Sequence, residues 1–90
     1  MAETVGQVAE FNDLVERFIG LANTMKQEGK PAAMINAALM SSSGIFATYV
    51  AAGNQGYLRE GGVTKVTEAY RKTLLNFQRI KKSQVSGKKP

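Results

Sequence analysis

Ser41-Ser42-Ser43-Gly44 is a run of nucleophile-type side chains without the partner that would activate it. A serine hydroxyl attacks only when a neighbouring base takes its proton, and the sequence contains no His. A Ser-Lys pair would be the remaining option, but the nearest lysines in sequence fall on other elements. Small hydroxyl residues also let helices pack closely while bonding to backbone carbonyls, and that reading suits the run better. Glu10, Asp13 and Glu16 are no better as metal ligands. Carboxylate sites in helical bundles use inward acids with Glu-x-x-His motifs, whereas these acids lie off the apolar stripe of their segment. The absence of Cys excludes disulfides, zinc ribbons and thiol nucleophiles. The expectation is a non-catalytic protein that uses no cofactor and no metal.

Two glycine patterns invite a phosphate-binding reading. Gly56-Tyr57-Leu58-Arg59-Glu60-Gly61 has P-loop glycine spacing, but Gly62-Val63 stands where Lys-Ser/Thr should follow. The lysine is what reaches the terminal phosphates, so the match fails on chemistry. Gly53-Asn54-Gln55-Gly56 has the outline of an RNA-clamping GXXG loop, yet no basic residue and no sheet accompanies it. Both read as plain loop, with Gly61-Gly62 a hinge or the start of the following helix. The strongest polar signal lies further on. Arg71, Lys72, Arg79, Lys81 and Lys82 crowd the last periodic segment, followed by Lys88 and Lys89. Cations near a helix C-terminus complement its dipole. They would also attract nucleic acid by counterion release, although no helix-turn-helix or stacking platform accompanies them.

The elements that must hold these residues follow from charge and periodicity. The chain has 90 residues, room for one small domain, and a net charge of +5. That charge is unevenly spread: acidic from Met1 to Gly29, uncharged from Pro31 to Leu58, and wholly basic from Arg71 to Pro90. Val8, Phe11, Val15, Phe18, Ala22 and Met25 recur at 3-4-3-4-3 spacing, predicting an amphipathic helix over about Gln7–Glu28. Leu14, Ile19 and Leu21 widen its stripe, and Asp13 can pair with Arg17 four residues on. Thr4 and Gln7 match a capping box, Gly29 suits a left-handed cap, and Pro31 suits the first turn of a second helix. That second helix, about Pro31–Ala52, has no charged face and is small or apolar almost all round. Gly53–Gly62 reads as a loop. Val66, Tyr70, Thr73, Phe77 and Ile80 then predict a third helix over about Thr64–Lys82. Residues 83–90 read as a disordered basic tail, which leaves 1–82 as a single helical domain.

A helix without a polar face is covered either by protein or by lipid. Residues 31–52 are long enough to span a bilayer, but Asn36 and three serines sit among few strongly lipophilic residues. A buried helix in a soluble protein is the better reading. The acidic start, Met1-Ala2-Glu3-Thr4, does not read as a signal peptide, so a reduced cytoplasmic setting is expected.

Phe18-Ile19-Gly20-Leu21-Ala22-Asn23, then Ile35-Asn36-Ala37-Ala38-Leu39 and the small residues through Phe46-Ala47 to Ala51-Ala52, resemble a family of short bacterial proteins catalogued only as a domain of unknown function. Tyr70, Leu74 and Leu75 resemble the aromatic and leucine positions of that family's closing helix. The chain departs from its pattern at Ser41-Ser42-Ser43-Gly44-Ile45, where members tend to be aromatic and carry an arginine, and in its basic C-terminus. The resemblance implies a soluble, cytoplasmic, all-helical fold and brings no activity or catalytic residue.

These lines converge on an all-α chain of three helices packed as a small bundle. Three helices alone would struggle to cover the middle one, so a homodimer is expected, with Gly44, Ala47 and Ala51 near the contact. The expected function is that of a small interaction or accessory protein. Nucleic-acid binding through Arg71, Lys72, Arg79, Lys81 and Lys82 is the alternative, and a membrane protein spanning at 31–52 is the second alternative.

Overall fold

The computed structural model describes residues 4–87, and these are all-helical, with no strand among the described residues. Helix α1 is Val5–Gln27, α2 is Ala32–Ala52 and α3 is Glu60–Gly87. The chain divides between Ser43 and Gly44, inside α2, into two compact units.

In the first unit, α1 and the opening turns of α2 form a helical hairpin. The start of α1 is fixed by a reciprocal cap. The Thr4 hydroxyl accepts the Gln7 N–H at 3.1 Å, and the Gln7 side-chain carbonyl accepts the Thr4 N–H at 2.9 Å. Two donors otherwise left unpaired at the helix start are thereby satisfied. The helix ends as its sequence requires. Gly29 adopts φ +92°, its N–H donates to the Lys26 carbonyl, and the Lys30 N–H reaches back to Met25. This left-handed turn closes the last carbonyls and suits a residue without Cβ. The Pro31 carbonyl then accepts the first α2 bond, from Ile35 at 3.0 Å. Ile35 is the one buried side chain among the described residues, at 8% exposure, and Ala22 of α1 is half-buried. Burying an isoleucine contributes about 1.5–3 kcal/mol, which is little to hold a helix of 23 residues.

In the second unit, residues 44–52 of α2 turn through a short loop into α3. The half-buried positions are Ala47, Thr48, Ala52, Leu58, Gly62 and Val66, all within the end of α2, the loop and the first turns of α3. Gly56 lies so close to α2 that a Cβ there would run into the Ala52 carbonyl oxygen and sit 2.8 Å from the Ala52 Cβ. Glycine is what permits this approach.

Two boundaries differ from the sequence-based expectation. Helix α3 begins at Glu60, not Thr64, so Gly61 and Gly62 are helical and the loop ends sooner. The Arg59 carbonyl accepts the Val63 N–H at 2.9 Å, Gly62 packs on Leu58, and Glu60 places a negative charge where the helix dipole favours it. At the other end α3 continues to Gly87, through Ser83, Gln84, Val85 and Ser86, which the sequence suggested were part of a disordered tail. Lysine and glutamine are good helix formers, and no proline or glycine intervenes before Gly87. Residues 88–90 of that expected tail lie outside the described residues.

The glycines give a direct check on these local arguments. Gly20 lies mid-helix on the face away from the apolar stripe, with open space where a Cβ would go. Gly20→Ala is expected to raise stability by about 0.5–1 kcal/mol in urea denaturation at fixed protein concentration. Gly56→Ala is expected to lower it by about 1–3 kcal/mol in the same assay.

Candidate association surface

The residues expected at a helix–helix contact lie on α2. Gly44, Ala47 and Ala51 recur at three- and four-residue spacing and therefore share one helical face. Gly44 and Ala51 are exposed and Ala47 is half-buried. Beyond its own helix backbone, no described residue comes within 4 Å of the point where a Gly44 Cβ would stand. The Thr48 hydroxyl donates to the Gly44 carbonyl at 2.8 Å, so this polar group bonds its own helix. That pairing removes the main cost of bringing Thr48 into an apolar contact.

A second patch on α2 is made by its large residues. Ile45, Phe46, Tyr49 and Val50 are all exposed, Ile45 at 73%, and the Phe46 and Tyr49 rings stand 5.8 Å apart at 41°. These were not singled out from the sequence, where α2 looked uniformly apolar. Separating large from small residues around the helix would have found them.

The long helices carry exposed apolar stripes of their own. On α1, Phe11, Leu14 and Phe18 are exposed, and on α3 so are Tyr70, Leu74, Phe77 and Ile80. The helices inside each unit also differ in length. Helix α1 has 23 residues, about 35 Å, while its unit holds only residues 32–43 of α2, about 18 Å. Helix α3 has 28 residues, about 42 Å, beside residues 44–52 of α2, about 13 Å. Each stripe outruns the helix offered to it.

All five cations named for nucleic-acid contact are on α3 and exposed. The helix does not gather them on one side. Arg71, Lys72, Arg79 and Lys82 fall on the face opposite the apolar stripe, whereas Lys81 follows Phe77 by four residues and lies on the stripe side. The Arg79 guanidinium donates to the Asn76 side-chain carbonyl at 3.1 Å. Among the described residues the one ion pair is Asp13–Arg17 on α1, at 3.1 Å and solvent-exposed, where such pairs add little.

Groups that could do chemistry are not brought together. Ser41, Ser42 and Ser43 are exposed on α2, and Glu10, Asp13 and Glu16 are exposed on α1. Among the described residues no three His, Cys, Asp or Glu side chains converge as a metal site would need. The hollows are shallow. One of about 350 Å³ is lined by Met25, Glu28, Lys30, Met34, Ile35 and Ala38 in the first unit. Another of about 300 Å³ lies between Ile45, Thr48, Tyr49, Gly53, Asn54 and Gly56 in the second. By length and composition alone, α2 is also a candidate membrane span.

Fold and surface together define an all-helical protein with large uncovered apolar faces. No family model matches the chain, and neither a curated protein nor a solved structure does.

The opposed faces of α3 separate packing from charge. Replacing Arg71, Lys72, Arg79 and Lys82 together by Gln is expected to leave self-association within about threefold, measured by sedimentation equilibrium. Leu74→Asp or Phe77→Asp is expected to weaken it at least tenfold, because a charge would enter an apolar contact.

Proposed function

We propose that this chain is a small, non-catalytic cytoplasmic protein that acts through helix–helix association, in its simplest form as a homodimer. The observation that carries this reading is the exposure of apolar faces on all three helices, including an α2 without a charged residue. Scattered exposed apolar residues are ordinary on a soluble monomer, but contiguous stripes mark interaction surfaces. The small-residue face at Gly44, Ala47 and Ala51 suits a close helix crossing, and the large residues on the other side of α2 offer a second apolar surface. Asn36 and Ser41–Ser43 favour protein over lipid as the covering medium, since a bilayer core offers them no partners beyond their own helix.

Sedimentation equilibrium at micromolar concentration tests the reading, with a dimer as the expected species. Gly44→Leu is a sharp variant because, beyond its own helix backbone, no described residue comes within 4 Å of where a Cβ would stand. At least a tenfold rise in Kd with unchanged helix content is expected, and unaltered association would remove Gly44 from the contact.

A second reading is favoured by one observation. Arg71, Lys72, Arg79 and Lys82 share the face that remains in water when the apolar stripe is covered. That face would bind phosphate backbones without reading sequence. Binding to short DNA or RNA duplexes in a gel-shift assay would then weaken steeply with salt and be lost in the fourfold Gln variant. No shift at low salt would sink this reading.

A further inference from the structure

We propose that α3 is also an in-plane membrane helix, which lays its apolar stripe into the surface of a bilayer rich in anionic lipid. This goes beyond the association reading and stands on residues of one helix, whose shared face follows from the helical repeat alone. Val63, Tyr70, Leu74, Phe77 and Ile80 recur along about 26 Å of α3, and each keeps roughly half of its surface exposed. Together they offer on the order of 400 Å², the size of patch that marks a protein or membrane contact. From Arg71 to Gly87 the same helix carries five cations, Arg71, Lys72, Arg79, Lys81 and Lys82, and no acid. A long helix with an aromatic and aliphatic face, a basic face and little net hydrophobicity has the pattern of an interfacial helix.

Charge decides between lipid and other covers. A second helix laid on the stripe would leave Arg71, Lys72, Arg79 and Lys82 unused on the far side. A nucleic acid held by those cations would leave the stripe uncovered. An anionic bilayer engages both faces. The helix is about 10–12 Å across, close to the ~8–10 Å over which salt screens a charge, so cations on the far face still feel the negative surface. Their long side chains shorten the gap by bending back toward the headgroups. Lys81, on the stripe side one turn after Phe77, can lay its methylenes along the apolar face and reach headgroup phosphates with its ammonium. Helix α1 shows the contrast. Its Phe11, Leu14 and Phe18 are as exposed, but Glu10, Asp13 and Glu16 outnumber Arg17 and Lys26, so an anionic surface would repel it.

The test uses the full chain and lipid vesicles, with tryptophan as the probe because the chain has none. Phe77→Trp puts the probe on the stripe, and Leu75→Trp puts it on the opposite side of α3. Vesicles of equimolar phosphatidylglycerol and phosphatidylcholine are expected to bind both variants. Brominated acyl chains should then quench the Phe77→Trp chain at least about threefold more strongly than the Leu75→Trp chain. Each cation near an anionic surface is worth about fivefold in affinity. Binding should therefore weaken by about tenfold or more on pure phosphatidylcholine, and equally when Arg71, Lys72, Arg79 and Lys82 are replaced together by Gln. No binding to the mixed vesicles at low salt would overturn the proposal, including the case where nucleic-acid duplexes bind instead. Equal quenching of the two variants would also overturn it, because another element would then enter the bilayer. Sedimentation of the same chain without lipid reads self-association separately, so either result stands without the other.

Discussion

An apolar helix with no polar side can stabilise whatever lies against it, but only over its own length. Helix α2 has 21 residues, and the chain divides it between two units. Its first half serves α1 and its second half serves α3, and both of those helices are longer than the part they receive. Among the described residues Ile35 is the one buried side chain, the half-buried residues lie at Ala22 and between Ala47 and Val66, and aromatic side chains further out on α1 and α3 face water.

The charge distribution fits the same constraint. Helix α2 has no charged residue, so an uncharged helix or an apolar stripe can lie on any side of it without desolvating an ion. Arg71, Lys72, Arg79 and Lys82 of α3 stand opposite its stripe, and Glu16 and Asp13 of α1 likewise stand off theirs. Covering the stripes therefore leaves these charges hydrated. Lys81 is the departure, lying beside Phe77. A lysine can lay its methylenes along an apolar surface and keep its ammonium in water.

Local signals were legible wherever the chemistry is local. The Thr4–Gln7 cap, the Gly29 turn and the Pro31 start each depend on a few neighbouring residues, and the structure has all three. The end of α2 at Ala52 was legible too, because Gly53 takes φ +75° there. The helix bounds were less legible. Gly61-Gly62 reads as a hinge or as the start of the third helix, and it is the start, with α3 running from Glu60 rather than Thr64 and Gly62 lying against Leu58. Ser83–Ser86 looked like a tail because apolar residues thin out, yet nothing in that segment breaks a helix. The apolar surface of α2 was half legible. Small residues at Gly44, Ala47 and Ala51 gave a spacing signal, while Ile45, Phe46, Tyr49 and Val50 were hidden in a helix whose pattern has no contrast.

The central proposal is that a second copy of the chain covers its exposed apolar faces. Because the chain has no Cys, a single spin label can be placed at Lys72→Cys, on the face of α3 opposite its apolar stripe. With one label per chain, any dipolar coupling is between copies. The account predicts a narrow distribution of interchain distances in pulsed electron resonance, lost when labelled protein is diluted with an excess of unlabelled chain. A featureless decay from helical protein at high micromolar concentration would contradict it.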